Sequence, residues 1–138
     1  MCRRFYLDTS IWMDFYEDRR GYNHEPLGDY AWKLLALIKA KRFKLVVSDL
    51  LMKELEIHYS VEKIRGMMAL FSDVIEKVIS TEKERKEAIK IAKEKQLPFG
   101  DALHAIIAKD NNLVLVTRDR HFRALEEICK HYRPEELI

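Results

Sequence analysis

This sequence of 138 residues contains only two cysteines, no long apolar run and a formal net charge of only +2. The longest apolar cluster, residues 34–38, is far shorter than the ~20 residues of a membrane-spanning helix, so we expect no membrane partner. Arg3 and Arg4 are not followed by a long apolar stretch, which argues against a signal peptide. We therefore expect a cytoplasmic protein in which Cys2 and Cys129 are free thiols.

The formal net charge of +2 is too small to indicate a nucleic-acid partner by itself. The local distribution is more informative, because basic residues adjoin several acids, namely Lys53, Arg118, Arg120 and His121. Ordinary solvated surface charges explain each of them equally well when taken alone. An acidic centre with a basic rim is, however, what a metal-dependent enzyme needs to act on a polyanion.

Short apolar stretches alternate with helical patterns along the chain. Strands are predicted at residues 4–7, 43–47, 74–79 and 113–116, with a fifth, short edge strand near 131–133. The third stretch also fits an extension of the helix before it. Helices are predicted at residues 28–41, 61–71, 81–96, 102–109 and 122–128. The alternation indicates a mostly parallel sheet covered on both faces. No internal repeat or linker interrupts it, so we expect a single domain over residues 1–138.

Four dispersed acids, Asp8, Glu54, Asp101 and Asp119, follow or adjoin the predicted strands. Ligands of parallel α/β sheets bind at the carboxyl ends of the strands, where these acids are expected to meet. Taken singly, each acid has a structural explanation. The three aspartates fit helix caps, and Glu54 fits a surface acid paired with His58 four residues later. Three unrelated caps and one surface acid, however, need not share one rim of the sheet.

Carboxylates gathered in one place repel one another, which raises their pKa values unless a cation offsets the charge. Mg²⁺ or Mn²⁺, which prefer oxygen ligands and retain waters, are the cofactors that such a cluster predicts. Two such ions about 3.5–4 Å apart can hold both the attacking and the leaving oxygen of a displacement at phosphorus. The sequence leaves open whether one or two ions bind.

Four motifs occur in an order and at a spacing that resemble the PIN-domain nucleases. They are residues 7–10 (LDTS), 47–55 (VSDLLMKEL), 97–105 (LPFGDALHA) and 116–122 (VTRDRHF). The resemblance implies a three-layer α/β/α fold with a mostly parallel sheet of four to five strands. It also implies an Mg²⁺- or Mn²⁺-dependent endoribonuclease, with Asp8, Glu54, Asp101 and Asp119 as catalytic metal ligands. Thr9 and Thr117 match supporting hydroxyl positions.

The resemblance leaves several functions open. Many PIN proteins of this length resemble toxins of toxin–antitoxin pairs, which implies RNA as substrate and a small antitoxin as partner. Others process ribosomal RNA, and a non-cleaving module that binds RNA or protein is a further alternative. Receiver and haloacid-dehalogenase patterns fit poorly, because Asp8 lacks the second acid that each requires nearby. The apolar helix at residues 102–109 and the Met67-Met68 pair suggest a homodimer, although burial within one monomer explains them equally well.

Basic and histidine residues near the acids have their own alternatives. The expected RNA contacts are Lys53, Arg118, Arg120 and His121. His121 departs from the family pattern, in which relatives often carry an acid or Asn. His104 follows Asp101 by one helical turn, so it either reaches the site or packs on a buried helix.

Overall fold

Within residues 3–138, the part of the chain described by the computed structural model, five parallel strands form one sheet. The strands are β1 (Arg4–Leu7), β2 (Lys44–Ser48), β3 (Ile75–Val78), β4 (Val114–Val116) and β5 (His131–Tyr132), in the spatial order β3-β2-β1-β4-β5. All predicted strands are confirmed to within one or two residues. The third stretch is a strand and not an extension of the preceding helix. Cys2 lies outside the described residues, whereas Cys129 is a free thiol.

The helices fill the connections between the strands. They are α1 (Thr9–Glu17), α2 (Leu27–Lys41), α3 (Asp49–His58), α4 (Val61–Ala69), α5 (Glu82–Lys95) and α6 (Phe99–Asp110), with short 3₁₀ helices at Arg120–Leu125 and Pro134–Glu136. Asp8 directly follows β1 and caps α1, and Ser48, the last residue of β2, caps α3, so strand and helix join without an intervening loop. Along the described chain, no helix has both the length and the apolar character needed to cross a membrane.

The two faces of the sheet carry separate apolar cores. Side chains alternate along β1, so Phe5 and Leu7 pack on one face with α1 to α4, while Tyr6 packs on the other face with α5 and α6. These layers confirm the predicted three-layer α/β/α fold. The side of the sheet to which Tyr6 belongs is also the side covered by the helix that carries Asp101.

The central strand β1 marks a change of direction in the sheet. The chain continues from β1 to β2 on one side, while β4 pairs with β1 on the other side. Open parallel sheets bind ligands beyond the carboxyl ends of strands at such a switch point. Asp8 lies at this point and its backbone N–H donates to the carbonyl of Val116, the last residue of β4, at 3.0 Å.

Two helix boundaries differ from prediction. Helix α6 begins at Phe99 instead of 102, directly after Pro98, which stands at the N-cap with an extended backbone of φ −59° and ψ 140°. Asp101 therefore lies in the first turn of α6 and does not cap it. The last predicted helix is a 3₁₀ helix ending at Leu125, because the chain must turn at once to reach β5.

The apolar residues on which a homodimer was predicted lie inside the monomer. Every residue from Ala102 to Ala108 is buried, and these residues belong to the core between α6 and the sheet. Met67 and Met68 belong to the opposite core. Burial within one monomer thus accounts for both features, and the homodimer stays a prediction that light scattering can test.

Candidate active site

The four predicted acids line one open cleft at the carboxyl edge of the sheet. This carboxylate cleft, about 500 Å³ in volume, is lined by Asp8, Glu54, Asp101 and Asp119 together with Thr9, Ser10 and His104. The acids come from four separate elements, and their shared position results from the parallel topology. Glu56, the nearest rival of Glu54 in sequence, lines a different groove between α3 and α4.

Asp8 is held by donors on both carboxylate oxygens. Its Oδ1 accepts from the Ile11 backbone N–H at 3.2 Å and from Ser10 Oγ at 2.8 Å, and its Oδ2 accepts from Thr117 Oγ1. Burial raises the pKa of Asp8 above its usual value in spite of these hydrogen bonds. The capping role expected of Asp8 is therefore present, and it fixes the carboxylate at the edge of the cleft.

Glu54 is held from α1 and α6. Its Oε1 accepts from Thr9 Oγ1 and lies 2.7 Å from His104 Nε2. Burial raises the pKa of Glu54, but the hydrogen bonds from His104 and Thr9 outweigh it, so the pKa lies below its usual value. Glu54 is thus ionised at neutral pH. Within residues 3–138 its hydrogen bonds go to these two residues and not to His58, the partner expected from helical spacing.

Asp101, Asp119 and His121 form a compact group at the open end of the cleft. His121 Nδ1 lies 2.8 Å from Asp101 Oδ2 and 3.2 Å from Asp119 Oδ1. One ligand atom from each of the three residues lies within 4.8 Å of the others. Burial raises the pKa of Asp101, and the nearby charge of Asp119 raises it further. The side chain of His121 is half exposed, so it can move without disturbing the core.

The residues in the cleft fit a divalent cation. Carboxylate oxygens are the preferred ligands of Mg²⁺ and Mn²⁺, and an imidazole nitrogen suits Mn²⁺ and later transition metals. The pKa values of Asp8 and Asp101 are raised because both carboxylates lose solvation in the site. For Asp101, the nearby charge of Asp119 raises the pKa further. A bound cation would favour the ionised form of both carboxylates.

The supporting and basic residues are distributed unevenly. Thr9 and Thr117 donate to Glu54 and Asp8, as their positions suggested. Arg118 instead forms two hydrogen bonds to Glu135, at 2.8 and 2.5 Å, and lies 3.7 Å from Asp14. These contacts occupy its guanidinium, so we do not retain Arg118 among the proposed RNA contacts. Lys53 and Arg120 are exposed and remain available, whereas His121, although exposed, already contacts Asp101 and Asp119.

Some residues of the cleft carried little signal in the sequence. Tyr6 belongs to an apolar strand, yet its hydroxyl lies 2.7 Å from His104 Nδ1. Gly100 lies beside Glu54 Oε2, where a β-carbon would approach to 2.6 Å. His104 was the exception, since its distance of one turn from Asp101 suggested a position near the site. It is both buried and at the cleft, so the two alternatives considered for it are compatible.

The fold and cleft together define a class: α/β/α proteins whose carboxylates converge at the switch point of a parallel sheet. The family model of the PIN domain matches residues 5–128, so the chain belongs to the PIN domain family. PIN domains are generally nucleases, which indicates a hydrolase. A comparison with curated proteins found no match.

Solved structures agree on the fold. VapBC2 from Rickettsia felis, bound to a DNA fragment from its promoter, has a TM-score of 0.62 at 21% identity, covering 94% of this chain and 96% of that chain. PAE2754 from Pyrobaculum aerophilum has a TM-score of 0.61 at 20% identity, covering 99% and 95%. A toxin–antitoxin complex from Klebsiella pneumoniae has a TM-score of 0.63 at 18% identity, covering 94% and 97%.

Proposed function

We propose that this chain is a divalent-metal-dependent endoribonuclease that hydrolyses RNA phosphodiester bonds in the carboxylate cleft. The observation that carries the proposal is the convergence of Asp8, Glu54, Asp101 and Asp119 from four elements on one cleft. Membership of a family of nucleases supports hydrolysis as the reaction. We further propose that the protein acts in the cytoplasm.

The four acids that line the cleft would hold the cation, with His121 as an additional nitrogen ligand; Asp101, Asp119 and His121 place ligand atoms within 4.8 Å of one another. When bound, it polarises the phosphate and lowers the pKa of a coordinated water. Because an imidazole nitrogen adds more to the affinity for Mn²⁺ than to that for Mg²⁺, we propose Mn²⁺ as the better of the two cofactors. The closeness of His121 Nδ1 to both Asp101 and Asp119 supports this choice.

The chain's own groups position the reactants and accept a proton. A water attacks phosphorus in line, its oxygen forms the new P–O bond, and the ester bond to the ribose oxygen breaks; that oxygen leaves with the electron pair and takes a proton from solvent. Asp101 is the carboxylate proposed to take the proton of the water, because it lies at the open end of the cleft beside Asp119, whereas Asp8 is buried. Asp8, with hydrogen bonds to both oxygens, serves as a fixed ligand.

The RNA is held mainly through its phosphates. Arg120 and Lys53 are exposed residues adjacent in sequence to the acids Asp119 and Glu54, and His58 lines the cleft itself. Lysine and arginine side chains bind backbone phosphates and set the register of a nucleic acid without reading its bases. We therefore expect binding to weaken as salt increases.

Cleavage of an RNA substrate with Mn²⁺ or Mg²⁺, compared between the native protein and two variants, tests the proposal. Asp8→Asn retains the cap, and Asp101→Asn lies in the first turn of α6, so both should fold. We expect cleavage to fall more than about 100-fold in each, beyond the loss typical of residues that only support ligands. Glu56→Gln, on the neighbouring groove, is the matched control. Full activity in both aspartate variants would contradict the proposal.

A partner protein is the second part of the proposal. Two of the similar structures are described as VapBC2 and as a toxin–antitoxin complex, and we propose that a small antitoxin likewise controls this chain. An apolar groove of about 750 Å³ between α3, α4 and the sheet offers a surface for it, lined by Val47, Met52, Val61, Ile64, Met68 and Ile75. Exposed Val61 and half-buried Met52 leave apolar area that a partner would cover.

Co-expression with the product of the adjacent reading frame tests control by an antitoxin. A stable complex that lacks ribonuclease activity is the expected result, and growth arrest by this chain alone would accompany it. A stable, active enzyme that needs no neighbour would favour ribosomal RNA processing instead. Calorimetry without any heat of Mn²⁺ or Mg²⁺ binding would favour the non-cleaving binding module.

A further inference from the structure

A chain of polar side chains runs through the core beneath the carboxylate cleft. Ser48 Oγ lies 2.6 Å from the hydroxyl of Tyr6, and that hydroxyl lies 2.7 Å from Nδ1 of His104. Nε2 of His104 then lies 2.7 Å from Oε1 of Glu54. Tyr6 and His104 are 0% and 2% exposed, so water does not compete for these hydrogen bonds.

The direction of these hydrogen bonds follows from what each group can donate. An ionised carboxylate only accepts, so Nε2 of His104 must carry the proton that faces Glu54. At the other end, Ser48 Oγ already accepts from the backbone N–H of Leu51 at 3.0 Å. Its hydroxyl proton is left for Tyr6, the other hydrogen-bond partner of Ser48 Oγ in residues 3–138. Tyr6 in turn donates to the bare Nδ1 of His104.

Burial keeps this order in place. It raises the pKa of the Tyr6 phenol, which therefore retains its proton. The phenol ring also packs against the imidazole, with 5.4 Å between ring centroids, so the imidazole cannot turn over freely. In the reversed order, Nδ1 of His104 would donate to Tyr6 and Tyr6 to Ser48, which would leave the Ser48 hydroxyl proton without an acceptor. A buried donor without an acceptor costs about 1–3 kcal/mol, so this order is disfavoured.

We propose that the Ser48–Tyr6–His104 chain makes His104 a positioning residue for Glu54, an inference that rests on the proposed metal-dependent function. Thr9 and His104 both donate to Oε1, so that oxygen is fixed. Oε2 lies on the side of Gly100, the residue that precedes Asp101. His104 thus fixes the rotation of the carboxylate and leaves Oε2 as the oxygen presented to a cation. Supports of this kind around metal ligands typically change metal affinity about 10- to 100-fold.

The proton positions can be tested in the metal-free protein by ¹⁵N NMR of its histidine rings. We expect His104, assigned by the loss of its signals in His104→Gln, to be protonated on Nε2 and bare on Nδ1. Tyr6→Phe, which removes only the hydroxyl, should leave the proton on Nε2 and shift the ¹⁵N resonance of Nδ1, which loses its hydrogen-bond donor. Protonation of His104 on Nδ1 alone, or an unchanged Nδ1 resonance in Tyr6→Phe, would overturn the proposed order. This readout is independent of whether the protein cleaves RNA.

The positioning role can be tested with a matched pair of variants at residue 104. The side-chain amide of Gln reaches about as far as Nε2, so His104→Gln keeps a donor for Glu54 and loses the contact to Tyr6. The shorter His104→Asn keeps a group near Tyr6 and loses the donor. Measured by electron paramagnetic resonance of free Mn²⁺, affinity should fall at most about threefold in His104→Gln and about 10- to 100-fold in His104→Asn. Thermal unfolding is followed in parallel.

Equal affinities in the two folded variants, or native affinity in His104→Asn, would overturn the role. Should both variants fail to fold, Tyr6→Phe takes their place, with a several-fold loss of Mn²⁺ affinity expected and native affinity contradicting the proposal. A native protein that binds no Mn²⁺ would refute the proposed function instead. In that case a crystal structure of His104→Asn tests the positioning role of His104. A displaced Glu54 carboxylate would support this role, and an Oε1 in its native position would contradict it.

Discussion

Gly100 lies so close to Glu54 that a β-carbon on it would come within 2.6 Å of Glu54 Oε2. A free glutamate side chain would simply move away. Here Thr9 and His104 hold the other carboxylate oxygen, so movement of Oε2 disturbs the whole group. Glycine is therefore required at position 100 by the space beside Glu54. The backbone conformation does not require it, because φ at Gly100 is not positive.

Gly100→Ala is expected to reduce Mn²⁺ affinity and RNA cleavage at least about tenfold, as for other disturbed ligand supports. Thermal unfolding should change little, because the higher helix propensity of alanine offsets much of the cost of the disturbed hydrogen bonds. Gly66→Ala is the matched control, since a β-carbon there meets nothing within 4 Å in helix α4. It should raise the free energy of unfolding by about 0.5–1 kcal/mol and leave cleavage unchanged. Full activity in Gly100→Ala would show that Oε2 has room to move.

Glu54→Gln and Glu56→Gln separate a cleft acid from its neighbour. Glu54 lines the carboxylate cleft, whereas Glu56 lines the apolar groove between α3 and α4. We expect RNA cleavage to fall more than about 100-fold in Glu54→Gln and to remain near native in Glu56→Gln. Initial rates at saturating Mn²⁺ give the comparison, and a similar loss in both variants would argue against the assignment of Glu54.

Asp14 predicts a pH dependence of stability. Burial raises its pKa to about 6, in spite of the nearby charge of Arg118. A carboxyl whose pKa is higher in the folded than in the unfolded protein binds its proton more tightly when folded, so it destabilises the fold as pH rises through this range. Relative to Asp14→Asn, the native protein should lose on the order of 1–3 kcal/mol of unfolding free energy between about pH 4 and pH 6.5. Urea unfolding at both pH values measures the difference, and a constant difference would contradict the raised pKa.

Arg118 and Arg120 are expected to have separable roles. Arg118→Ala removes the ion pair to Glu135 and the charge beside Asp14, which should cost on the order of 2 kcal/mol of stability. Arg120→Ala should leave stability unchanged, weaken RNA binding and reduce its salt dependence by about one phosphate contact. RNA affinity measured at several salt concentrations, beside thermal unfolding, tests both. An Arg120→Ala protein with native affinity and salt dependence would exclude Arg120 from the RNA interface.

His121 is expected to favour Mn²⁺ over Mg²⁺. Because imidazole nitrogen suits Mn²⁺ better, His121→Ala should weaken Mn²⁺ binding more than Mg²⁺ binding in calorimetry. Electron spin-echo spectroscopy of bound Mn²⁺ should show coupling to a ¹⁴N nucleus that disappears in the variant. Equal losses for the two ions, or no nitrogen coupling in the native protein, would leave His121 as a hydrogen-bond partner of Asp101 and Asp119 alone.

Much of the fold could be predicted from local patterns. The strand at Arg4–Leu7 and the helix at Leu27–Lys41 were recognisable because apolar spacing reports directly which side chains are buried. Asp8 and Asp119 were recognisable because each follows a strand of a parallel sheet, whose carboxyl ends share an edge. A parallel topology with β1 at its centre is enough to bring Asp8 and Asp119 together, whereas Glu54 and Asp101 reach the same cleft only through the packing of α3 and α6.

The partners of each acid were decided by the tertiary structure. The hydrogen bonds of Glu54 to Thr9 and His104 join residues 45 and 50 positions apart, and their formation depends on how α1, α3 and α6 pack. Arg118 adjoins Asp119 in sequence but pairs with Glu135, because side chains alternate in direction along an extended chain. The sequence thus determined which acids follow the strands at the carboxyl edge of the sheet. The packing of distant elements determined which carboxylate oxygens accept hydrogen bonds from the protein, such as Oε1 of Glu54, and which face the cleft.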